Sequence, residues 1–133
     1  MHFAEQYLGR PWMSGKSGPD AYDCYGLVRA VYKSVYGVSL PEVNVNAHSM
    51  PACVHACIDQ QQQWREIAYP IDGCVVTMTR SNLPHHVGIW LDADGGGALH
   101  ALDGAGVIFS SLPALAALRF KILSYYQYQY HGR

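Results

Sequence analysis

Three side chains spread along the sequence have the types needed for nucleophilic attack on a carbonyl: the thiol of Cys24 and the imidazoles of His86 and His100. A cysteine hydrolase needs a thiolate, an imidazole within reach of it to take and return a proton, and a third polar group that fixes that imidazole's tautomer. Cys24 follows Asp23, a good N-cap residue, and Leu27, Val28, Val31, Tyr32 and Val35 follow at helical spacing. The thiol is therefore expected in the first turn of a helix, where unpaired N–H groups and the positive end of the dipole favour the thiolate. His86 opens the run His86-Val87-Gly88-Ile89-Trp90-Leu91, and His100 lies in Ala98-Leu99-His100-Ala101-Leu102. The glycine-rich turn Asp92-Ala93-Asp94-Gly95-Gly96-Gly97 joins the two runs, so the rings are expected near one another on adjacent strands. Alternation puts His86 on one face with Gly88 and Trp90 and sends Val87, Ile89 and Leu91 into the core. The neighbouring His85, an equal rival by chemistry, would turn its ring to the core side.

The elements that must position these groups can be traced along the chain. Phe3, Ala4, Tyr7 and Leu8 share a helical face, which predicts a short helix over residues 2–8, ended by Gly9 and Pro11. Residues 10–21, with two glycines, two prolines and two serines, read as a surface loop leading to Cys24. The Cys24 helix is expected to stop at Tyr36, before Gly37. Residues 38–51 read as irregular and 52–64 as a second, less buried helix. After Pro70 the composition turns β-branched and apolar, which predicts strands over 74–79, 86–91, 98–102 and 106–109 and within 119–128. Helices first and an antiparallel sheet after them make the fold class α+β in a single domain over residues 1–133.

A chain of 133 residues can bury roughly two thirds of the surface its unfolded form exposes, so it needs no disulfide or metal to fold. The net charge of -1 and 14% charged residues offer no basic face for nucleic acid. No stretch reaches the length of a membrane span, and the first ten residues lack the basic start and apolar run of a secretory signal. The expectation is synthesis in the cytoplasm with another carrier for any journey outward, and cysteines that are reduced.

The local sequence around the three groups resembles the NlpC/P60 family of papain-like cysteine peptidases. The resemblance rests on Tyr7-Leu8-Gly9-Arg10-Pro11-Trp12, Asp23-Cys24-Tyr25-Gly26-Leu27-Val28, His86-Val87-Gly88-Ile89-Trp90-Leu91 and Leu99-His100-Ala101, in the family's order, over residues 7 to about 110. It implies a papain-like α+β fold and hydrolysis of a peptide or isopeptide bond in peptidoglycan stem peptides, most often between D-glutamate and a diamino acid. In that pattern Cys24 is the nucleophile, His86 the general base and later acid, and His100 the orienting residue. The backbone N–H of Cys24 helps to hold the oxyanion. Asp23, Tyr25 and Trp12 border the substrate groove, and no metal or organic cofactor is implied.

Three departures from the family pattern stand out. Tyr25 replaces a small residue, Trp12 stands where tyrosine is common, and Tyr69-Pro70-Ile71-Asp72-Gly73 replaces a Pro-Gly-Asp before the first strand of the sheet.

Other readings compete. The same fold could serve as an assembly component, for instance in a phage tail tip, and phage-tail or secretion-machine components are then its partners and its route outward. Papain-like Cys/His sites also carry out amide hydrolysis or acyl transfer on lipid or protein substrates. Cys53, His55 and Cys57, with His48 upstream, have zinc-ligand types, but no second Cys/His pair follows at ligand spacing. The tyrosines of residues 125–130 suit a half-exposed strand better than a carbohydrate-stacking stripe.

Overall fold

The computed structural model describes residues 3–40, 64–80 and 83–128. The helix predicted over 52–64, and with it Cys53, His55, Cys57 and His48, lies outside the described residues apart from Trp64.

A short 3-10 helix, Phe3–Gln6, opens the chain. Helix α1 spans Cys24–Tyr36. Its start is fixed by Asp23, whose carboxylate accepts from the Gly26 N–H at 2.6 Å and from the Gly15 N–H at 2.7 Å. Its end is fixed by Gly37, which adopts the left-handed conformation (φ 70°) and donates its N–H back to the Tyr32 carbonyl. Gly26, the glycine of the Asp-Cys-Tyr-Gly run, has a packing role. A Cβ there would lie 1.9 Å from the Lys16 carbonyl oxygen, so only glycine lets the loop over residues 10–21 lie on the helix's first turn.

Six antiparallel strands form one sheet in the order β1-β6-β2-β3-β4-β5: β1 Trp64–Ile67, β2 Val75–Arg80, β3 Leu83–Leu91, β4 Gly97–Leu102, β5 Gly106–Ser111 and β6 Lys121–Tyr128. Helix α2, Leu112–Ala117, links β5 to β6. Ser111 caps it, accepting from the Ala114 N–H, and a proline stands in its first turn. Neither β1 nor α2 is among the predicted elements. Strand β1 half-buries its two ends and exposes the two residues between them, so it carries no alternating signal, and α2 is a single capped turn and a half.

The sheet is covered on both faces, which accounts for the unbroken burial of Val75-Val76-Thr77-Met78 in β2. Helix α1 packs Leu27, Val28 and Val31 with Val75, Val87, Ile89, Leu91, Leu99 and Ala101. On the opposite face, Val76, Met78 and Ala98 pack with Leu115 of α2 and Phe120. The tyrosines of β6 divide between the faces as strand residues do. Tyr126 enters the α1 core and Tyr125 meets Trp90 edge-on at 6.0 Å, while Tyr128 packs on Trp64 at 5.2 Å. They serve packing and form no stripe. No helix among the described residues is long and apolar enough to cross a membrane.

Candidate active site

His86 and His100 come together as the alternation predicts. Val87 and Ile89 of β3, and Leu99 and Ala101 of β4, point into the α1 core, so the two histidines face the other side. There His86 Nε2 lies 2.8 Å from His100 Nδ1. Beyond His100, its Nε2 lies 2.9 Å from the Ser110 hydroxyl. His100 is fully buried and Ser110 is 2% exposed, so the chain of two rings and a hydroxyl is sealed at its far end. Phe120 packs against both rings, stacked on His86 at 5.0 Å and edge-on to His100 at 5.8 Å. The Arg80 guanidinium caps Phe120 at 4.9 Å.

Gly88 permits this approach. A Cβ on it would stand 2.8 Å from the Leu99 carbonyl and 3.0 Å from the His100 Cβ, so a larger residue would push β4 and its histidine away. Both motif glycines, Gly26 and Gly88, are thus places where another chain segment occupies the space of a side chain.

Cys24 begins α1 and is 8% exposed. Burial, aided by the Asp23 carboxylate, pushes its thiol up to about 12, although the amides of Val87, Tyr25 and Cys24 itself favour the charged form. The amide of Val87 is the one that follows His86, so the thiol lies against the backbone in the middle of β3. Among the described residues, the hydrogen bond of the His86 ring runs to His100 and not to this thiol. The dipole argument from sequence therefore loses to desolvation in the resting state. Burial, then His100 and Arg80, hold His86 down to about 3, and burial with Arg80 holds His100 down to about 4. At neutral pH the site consists of a protonated thiol and two neutral imidazoles. A neutral pair joined at 2.8 Å shares one hydrogen: one ring donates it and the other accepts.

The residues expected at the groove have other tasks here. Asp23 is 3% exposed and its two carboxylate oxygens accept from Gly26 and Gly15, so it holds the loop to the helix. Tyr25 is buried in the α1 core. Trp12 is half-buried against the same core, in a backbone bridge with Tyr22.

Ser110, Phe120 and Arg80 were not among the residues singled out from sequence. Ser110 is placed by the register of β5 on β4. With Ala98 opposite Ser110 and Ile108 opposite His100, the serine falls on the histidine's face, one diagonal step away. Phe120 sits in the link between α2 and β6, where no periodicity marks it.

Comparison with known proteins agrees with this architecture. The family model described as the NlpC/P60 family matches residues 9–118. Among solved structures, the chain is similar to the NlpC/p60 domain of the peptidoglycan hydrolase SagA, with a TM-score of 0.60 and 22% identity over 90% of this chain and 89% of that one. At that identity the likeness speaks for the fold. No curated protein sequence matches the chain.

Proposed function

The chain belongs to the NlpC/P60 family, whose members are cysteine-type peptidases, and from that premise we propose that it hydrolyses a peptide or isopeptide bond in bacterial cell-wall peptides through an acyl-enzyme on Cys24. The observation that carries the proposal is the His86–His100 bond of 2.8 Å on adjacent strands, backed by buried Ser110. With Nε2 of His86 engaged by His100, Nδ1 is the nitrogen left to take a proton. The thiol gives its proton to Nδ1 as the sulfur attacks the carbonyl, and the imidazolium returns it to the departing amine. Water then attacks the thioester, with His86 as base, and frees the thiol. The Cys24 N–H, at the open end of α1, is a donor for the oxyanion. Because the resting thiol is protonated and buried, proton transfer is coupled to substrate entry. Active-site hydrogen bonds commonly tighten only in the bound complex.

The scissile bond we assign is the one between D-glutamate and a diamino acid. Incubation of the protein with purified muropeptides is expected to release new amino termini, and Cys24→Ala to abolish their release. Intact muropeptides after prolonged incubation with the unmodified protein would overturn the reading.

A second reading, an assembly component such as a phage-tail part, is favoured by the buried thiol and its lack of a bond to His86. It predicts that Cys24→Ala leaves assembly and function unchanged, and phage-tail or secretion-machine components are then the partners. Cleavage of an amide lipid but not of muropeptides would point instead to the lipid or protein substrates.

A further inference from the structure

We infer that Ser110 is a positioning residue: its hydroxyl, as acceptor at the buried end of the His86–His100 chain, keeps the His86 proton on Nε2 and leaves Nδ1 free. The inference rests on the proposed role of His86 but is drawn from the geometry of the three side chains.

Two proton arrangements fit the distances. In the first, His86 Nε2–H donates to His100 Nδ1 and His100 Nε2–H donates to Ser110 Oγ. In the second, every bond runs the other way, and the remaining proton of His86 sits on Nδ1. Only the first leaves His86 able to accept a proton from a thiol at Nδ1. Only the first also survives that transfer, because an imidazolium at His86 has no lone pair and must donate from Nε2. A serine hydroxyl can serve as the terminal acceptor without bringing a charge into a sealed site.

Removing the hydroxyl takes away the acceptor that the first arrangement needs. With alanine at 110, a proton on His100 Nε2 would be a buried N–H with no acceptor, and such orphaned donors are rarer in proteins than under-used acceptors. Moving that proton to Nδ1 keeps the 2.8 Å bond but turns it round, so that His86 Nε2 accepts and its proton moves to Nδ1. No atom is gained or lost. The effect of Ser110 on His86 passes through His100, and Ser110 itself touches no reacting group.

Side-chain 1H–15N long-range correlation spectra near pH 7, where both rings are neutral, read the tautomers directly. His86→Gln and His100→Gln variants supply the assignments. The native protein is expected to show His86 and His100 both protonated on Nε2. Ser110→Ala is expected to move both toward the Nδ1–H form, and Ser110→Thr, which keeps a hydroxyl, to restore the native pattern. If the alanine variant fails to fold, Ser110→Cys, nearly isosteric but a weak acceptor, must show the same shift. Tautomers unchanged in a folded alanine or cysteine variant overturn the inference. So does a native His86 carrying its proton on Nδ1. On muropeptides, Ser110→Ala is expected to lower kcat about ten- to a hundredfold with little change in KM, a smaller loss than the ~10⁴ seen when an orienting carboxylate is removed. The spectra stand apart from hydrolysis, so a native protein that spares muropeptides would count against the function while the tautomers still decide the role of Ser110.

Discussion

Gly88 stands against the backbone of β4 so closely that a Cβ on it would lie 3.0 Å from the Cβ of His100, whose ring His86 meets. The glycine of the His-Val-Gly-Ile run therefore sets the distance between the two imidazoles. Gly88→Ala must part β3 from β4 by a few tenths of an ångström, against the Leu99 carbonyl as well. The expected cost is about 1–3 kcal/mol of stability, together with a lengthened His86–His100 bond. Urea titration checks the first, and a weakened histidine–histidine coupling in 15N spectra checks the second. A change in stability below about 0.5 kcal/mol would show that the strands adjust freely and that the glycine has another reason.

Gly26→Ala should be worse. The obstruction there is the Lys16 carbonyl at 1.9 Å, a backbone atom held in place because Lys16 also accepts the Asp23 N–H at 3.0 Å. The loop over residues 10–21 would have to leave the helix start and take with it the Lys16 and Gly15 contacts to Asp23. A loss of about 3 kcal/mol or more is expected, which for a chain of this size lowers the melting temperature by about 10 °C. Calorimetry decides, and an unaltered melting curve would mean that the loop does not depend on this contact.

These two glycines show how the sequence was legible and where it stopped. The helix at Cys24, its Gly37 stop, and the strands carrying His86 and His100 follow from local periodicity and capping, and they stand where expected. What escaped depends on distant residues meeting. Ser110 matters only because β5 pairs with β4 in one register, and Phe120 matters only because the α2 link returns across the histidine face. The burial of Tyr25 and Asp23 likewise depends on where the loop over residues 10–21 lands, which no pattern within either segment specifies. The ionisation of Cys24 is the sharpest case. Its place at the helix start is local and was predictable, whereas the burial that overrides the helix dipole belongs to the whole packed structure.

The two histidines and the thiol define a window of stability. His86 and His100 are depressed in the folded protein from an ordinary 6.5 to about 3 and about 4. The unfolded chain therefore binds more protons below pH 6.5, and stability falls as the pH drops through that range. Cys24, raised from 9.0 to about 12, works in the opposite sense. Above pH 9 the unfolded chain releases the proton that the folded one keeps, and stability falls again. Denaturation midpoints measured from pH 4 to pH 10 should trace a plateau between about 6.5 and 9. His100→Gln should remove part of the acid limb, His86 keeping the rest, and Cys24→Ala part of the alkaline one, the remainder belonging to Cys74, whose thiol burial pushes up to about 11. An acid limb as steep in the His100 variant as in the native protein would deny that this ring is buried uncharged.

Asp23 ties helix capping to the chemistry of the neighbouring thiol, and one variant separates the two effects. Its oxygens accept from Gly26 and Gly15, and its charge is one of the causes that hold the Cys24 thiol protonated. Asp23→Asn keeps one acceptor oxygen and turns an N–H toward the other amide, so about 1 kcal/mol of stability should be lost. At the same time the thiol loses an adjacent negative charge and should ionise at lower pH. The rate of iodoacetamide modification of Cys24, followed against pH, distinguishes this from simple opening of the site. Loss of the charge shifts the midpoint of the profile downward, whereas loosening of the helix start raises the rate by the same factor at every pH. A profile displaced only vertically would mean that burial alone governs Cys24 and that the carboxylate beside it serves the cap and nothing more.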